Sequence, residues 1–156
     1  AFAAVEAGLI VWSRWQVATL LLGILITVWF VLPVGLPAWP AALFHILGVC
    51  IIIVVGRKLP RIIVESVSRR HVFLGWMLTA YCGDIARHMF GNILAATVLS
   101  FPPATFLVAI PQAVVEQTIF AFASAVIGVS TLSAIRSAKL DVPLTRLGKR
   151  EGLVDA

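Results

Sequence analysis

Hydrophobic positions along this chain fall in long uninterrupted runs rather than at amphipathic spacing. From Trp15 to Gly56 there is no Asp, Glu, Lys or Arg. That is about 40 residues, enough for two membrane crossings at ~20 residues each. The pattern predicts a first helix running outward from about Val17 to Pro33 and a second returning from about Ala41 to Gly56. Between them, the segment from Pro33 to Pro40 is uncharged and holds three prolines, which suits a tight external link. Trp12, Trp15 and Trp39 are placed as interfacial anchors.

A third helix starts near Val72, and its apolar stretch reaches Phe101. As one helix it measures about 45 Å against a hydrocarbon core of ~30 Å, so it must tilt, kink near Gly91 or project beyond the bilayer. Pro102-Pro103 ends it. Ala104 to Ile110 reads as a short external or re-entrant helix closed by Pro111, and a fourth helix runs inward from about Gln112 to Ile135.

Composition and charge agree with this reading. The chain is 61% hydrophobic and 12% charged, which excludes disorder and departs from soluble domains at roughly 25% charged. The net charge of +5 raises the question of nucleic acid, but placement answers it. Of the 12 basic residues, five lie in Arg57–Arg70 and five more from Arg136 to Arg150. The positive-inside rule puts both segments in the cytoplasm, so the basic excess orients the protein and no nucleic-acid partner is implied.

The expected fold is therefore an all-α polytopic transmembrane helical bundle over residues 1–136, followed by a cytoplasmic basic tail over 137–156. It sits in the cell membrane with four crossings in this chain. The stretch Ala1–Gly8 has neither a starting Met nor the basic leader of a signal peptide. The chain is thus expected to begin late, and six crossings follow if N-terminal helices precede it.

Ionisable groups inside a crossing cost on the order of 3 kcal/mol and point to function by default. Asp84, Arg87, His88 and Asn92 stand at i, i+3, i+4 and i+8 and share one stripe of the third helix. Counting from Val72 puts Asp84 about 18 Å and Arg87 about 22 Å from the inner boundary, and counting from Ile135 puts Glu116 about 29 Å away. Arg87 is then within reach of both carboxylates. Two readings stand side by side. In one, Asp84, Arg87 and Glu116 form a structural ion network. In the other, His88, Asn92, Glu116 and Gln117 line an outward-open pocket for a small polar solute. A proton relay is a third possibility.

His45 is expected near mid-membrane as a hydrogen-bonded packing residue. The sharper alternative has His45 and His88 ligating a b-type haem in a membrane anchor subunit, although their estimated depths differ by about 7 Å. Small residues at spacing four, Ala121 with Ala125 and Ser124 with Gly128, mark either internal packing or docking on another subunit. No paired C-x-x-C, GxSxG, P-loop, HExxH or dinucleotide fingerprint occurs, so the chain is not expected to be an enzyme, to bind metal or, in the leading reading, to carry a cofactor.

The run Asp84-Ile85-Ala86-Arg87-His88-Met89-Phe90-Gly91-Asn92, the Pro-Pro loop, Ile110-Pro111, Glu116-Gln117 and Val126-Ile127-Gly128-Val129 resemble the C-terminal half of the substrate-binding S components of energy-coupling-factor (ECF) vitamin transporters. The resemblance covers about Val72 to Arg136. It implies a six-helix bundle that captures a vitamin-like solute from outside and docks on a transmembrane partner subunit coupled to ATP-hydrolysing subunits. His88, Asn92, Glu116 and Gln117 fall where that family's ligand contacts tend to lie. The alanine-at-four docking motif of its first helix has only Ala3 with Ala7 as a counterpart here.

Overall fold

The computed structural model describes residues 2–138, and the remainder of the expected basic tail lies outside the described residues. Its described residues are all-helical: α1 (Phe2–Val11), α2 (Trp15–Val31), a 3-10 turn (Trp39–Ala42), α3 (Leu43–Val55), α4 (Leu59–Glu65), α5 (Arg69–Thr97) and α6 (Pro103–Ser137).

The first two expected helices correspond to α2 and α3. The link between them folds tightly because Gly35 has no side chain; a Cβ there would collide with the Trp29 carbonyl. Two short helices had no counterpart in the sequence reading. One is α1. The other is α4, which starts with Pro60 in its first turn and buries Leu59 and Ile63 beneath the exposed charges of the basic segment.

The expected break at Pro111 is corrected. The short helix and the fourth helix are one rod, α6, about 52 Å long, with Pro111 inside it. Proline removes one N–H and leaves a single carbonyl without its partner, which an apolar helix tolerates when neighbours compensate.

Contacts fix the directions of the helices. At one end Val11, Ile63, Val72 and Leu132 form a cluster, and Trp15 approaches Gly56. There Arg136 donates to the carbonyls of Ile63, Val64 and Ser66 at 3.3, 2.6 and 3.3 Å, tying the last turn of α6 to the C-terminus of α4. At the other end Trp29 meets Phe106 edge to face at 5.0 Å. Consequently α2 and α5 run one way while α1, α3 and α6 return. Arg57, Lys58, Arg61, Arg69, Arg70 and Arg136 gather at the first end.

The helix α5 is the hub. Against α3, Ile85 fills the space left by Gly48, whose added Cβ would lie 3.3 Å from two Ile85 carbons. Against α1, the bare face of Gly83 lets the Ala3 carbonyl approach; a Cβ there would lie 2.6 Å from that oxygen. Against α6, Trp76 lies flat over Gly128, which a Cβ would approach to 2.7 Å. Buried Ala121 and Ala125 continue that seam, so these two and Gly128 serve internal packing while Ser124 faces out.

The core is apolar with a few polar members, and many large apolar side chains remain on the surface. Glu6, His45, Thr79, Asp84 and Gln117 are buried, whereas Leu20, Val31, Val54, Val108 and Ile127 are more than half exposed. By length and composition α6 alone qualifies as a membrane-crossing helix among the described residues, and α3 with α4 qualifies only as a pair bent by 67°.

Candidate functional site

The middle of α5 places its polar residues on two different seams. Towards α6, Arg87 Nε donates to Asp84 Oδ1 at 2.7 Å, and Arg87 Nη2 lies 3.6 Å from Glu116 Oε1. The expected triad therefore forms. Its three members differ in environment: the Asp84 side chain is 12% exposed, whereas those of Arg87 and Glu116 are 45% and 41% exposed. The ion pair begins inside the bundle and ends on its flank. Glu116 there edges a shallow groove of about 610 Å³ walled by Pro111, Val115, Ile119 and Phe120.

Towards α3, His88 meets His45. Nδ1 of His45 lies 2.9 Å from the Ala41 carbonyl, which accepts only, so that nitrogen donates. In a neutral ring Nε2 of His45 is then the acceptor, and it lies 3.2 Å from His88 Nδ1. His88 Nδ1–H must donate across that gap, which leaves His88 Nε2 as an open acceptor. Asn92, one turn further along, brings its amide to 3.4 Å from the same His88 nitrogen. Phe44 packs on both rings, with centroids 4.0 Å from His45 and 5.4 Å from His88. His88, Asn92, Phe44 and Phe106 line a crevice of about 10 Å³, room for one water at most.

The four expected solute-binding residues are thus divided among three places. His88 and Asn92 share the inner crevice, and Glu116 lies on the outer groove. Gln117 is 1% exposed between helices, with both amide atoms lacking partners. Adjacent helical residues point about 100° apart, so Glu116 and Gln117 never shared a face. The structure also places Ile85 and Met89 in the core, 0% exposed, beside the polar stripe.

The pair His45 and His88, as arranged, does not fit a haem. Two imidazoles on one iron hold their nitrogens about 4 Å apart across the metal, at about 2 Å per bond. Here the facing nitrogens share a hydrogen bond and the rings lie at 23° with centroids 5.4 Å apart. No porphyrin passes between them.

One buried ionisable residue escaped the sequence reading. Glu6 is 0% exposed, and neither carboxyl oxygen has a partner. The signal was a lone acid within the apolar decapeptide Phe2–Val11, a stretch weighed only for a starting Met and a leader.

Compared with known proteins, the sequence matches no family model and no curated protein, and the fold matches no solved structure.

Proposed function

We propose that this chain is a multi-pass subunit of the cell membrane. In this reading it binds a small polar, vitamin-like solute in its outer half for uptake driven by partner subunits. The exposed apolar side chains support the membrane setting, since such a surface suits lipid while a few polar side chains are kept within. Four crossings are drawn as α2, α3, α5 and α6, with the basic segment 57–70, which includes α4, and the C-terminal tail in the cytoplasm.

The observation that carries the solute site is the half-open Arg87–Glu116 pair on the flank of the bundle. A guanidinium and a carboxylate left partly uncovered at that depth are expensive unless a polar occupant or water meets them. A vitamin-sized molecule needs about 300 Å³ or more, which suits the outer groove and not the closed crevice. First contact is therefore assigned to Glu116 and Arg87. His88 and Asn92 are reached when the outer part of α6 moves off Phe44, and Gln117, already between the helices, is uncovered by the same movement. The resemblance of Val72–Arg136 to S components supports a transmembrane partner and ATP-hydrolysing subunits as the energy source.

Glu116→Gln and His88→Ala are expected to abolish binding of a co-purifying solute, measured by native mass spectrometry, with membrane insertion intact. Solute retained at wild-type occupancy in both variants would remove the site.

A second reading is favoured by α6, which buries only seven of its 35 residues. Its outer face suits a non-catalytic anchor covered by a larger membrane assembly. A protein isolated without solute but in stable association with another membrane subunit, lost on placing charge at Ile119 and Ile127, supports that reading instead.

A further inference from the structure

The helix α1 adds a group that neither reading uses. It descends beside α5, with Phe2 stacked on Phe90 at 4.3 Å and Val11 near Val72 at the basic end. Between these contacts the backbone at Ala3 and the side chain of Ala7 rest on Gly83. Glu6 lies within this tightly closed stretch. Among the described residues its neighbours supply no base and no cation. On α5, Cys82 lies within electrostatic reach, and its thiol is directed to the Gly48 carbonyl at 3.8 Å. Asp84, on the next residue round, is engaged by Arg87. No ionisable residue occurs from Trp15 to Val31, so α2 offers none. Arg61 and Glu65 of α4 belong to the far end of α1, where Ile63 meets Val11. Thr79 of α5 is 1% exposed, and its hydroxyl likewise has no partner.

A bare carboxylate in such surroundings carries the full penalty of lost solvation with nothing to offset it. A structural acid would be expected to hold a donor; this one holds none. A carboxyl that is buried and unpartnered is suited to binding a proton, and no group of side chains that could hold a metal ion occurs among the described residues.

We propose that Glu6 is a protonation site sealed by the α1–α5 seam, a carboxyl that takes up and returns a proton only when α1 lifts from Gly83. The site is separate from the solute groove at Glu116, so its test does not depend on solute binding. It does rest on the chain lying in a bilayer.

The probe is dicyclohexylcarbodiimide, a lipid-soluble reagent, applied to the full chain in its native membrane. A protonated carboxyl adds across the carbodiimide: its proton passes to one nitrogen, its oxygen bonds to the central carbon, and rearrangement leaves a stable acylurea read by peptide mass spectrometry. The adduct is expected on Glu6 in mildly acidic buffer, lost in alkaline buffer and absent in Glu6→Gln. Gly83→Ala, which wedges the seam, is expected to speed its formation. If that variant fails to accumulate, the wild-type adduct and its loss in alkali decide the matter. An unmodified Glu6 in wild type and Gly83→Ala, in samples where Glu116 reacts, overturns the proposal. So does equal modification of Glu6 by a water-soluble carbodiimide, or labelling that ignores pH.

Discussion

The two polar seams of α5 handle the same problem in opposite ways. Towards α3, His88 and His45 are tucked under Phe44 and joined by a hydrogen bond whose chain ends on the Ala41 carbonyl. Towards α6, Asp84, Arg87 and Glu116 keep full charges, and the network opens progressively to the flank. The difference follows from packing. The α3 seam is closed by Ile85 against Gly48, so only uncharged partners are tolerated there. Along the α6 seam Phe106, Ala113, Gln117, Ala121, Ala125 and Gly128 are buried, while Glu116 and the groove lie on the flank of α6 beside it. The inner seam holds the fold together; the flank of the outer one is free to meet something.

Substitutions can break this contrast in a graded order. The largest effect is expected from Arg87→Ala, at about 3–5 kcal/mol, because it strands a buried Asp84 whose Oδ2 already lacks a partner. Thermal unfolding in detergent reads this loss. The double change Asp84→Asn with Arg87→Ala should recover most of it, and no recovery would mean the pair is not the cause. Next comes Gly128→Leu, which drives a side chain into Trp76 and should cost about 1–3 kcal/mol by the same assay. His45→Phe keeps the ring but removes the acceptor of His88. A loss of about 1 kcal/mol is expected, together with a changed His88 tautomer in nitrogen NMR. The smallest stability effect belongs to Glu116→Gln, within about 1 kcal/mol because the pair is half exposed, although solute binding should vanish. A large loss of stability in this last variant would erase the distinction between the seams.

Much of the architecture was legible from the sequence because charge-free runs and prolines mark apolar helices directly. The exceptions have physical causes. Pro111 looked like a stop, yet one missing N–H does not end a helix of this length. The helix α4 is seven residues long with charges at both ends, too short for a periodic signal. Within the site, Asp84, Arg87 and Glu116 were readable because spacing on one helix and depth on its neighbour both converge on the guanidinium. The His45–His88 contact was not. Depths counted at 1.5 Å per residue from Gly56 and Val72 assumed that these two points lie at one level, whereas α4 (Leu59–Glu65) lies between them. Gln117 was grouped with Glu116 by adjacency in sequence, when a turn of about 100° separates their directions.

The fork that Arg136 makes on Ile63, Val64 and Ser66 has a mechanical consequence. One side chain joins a short surface helix to the longest helix among the described residues. The basic rim at α4 is thereby tied to α6, whose opposite end lines the histidine crevice.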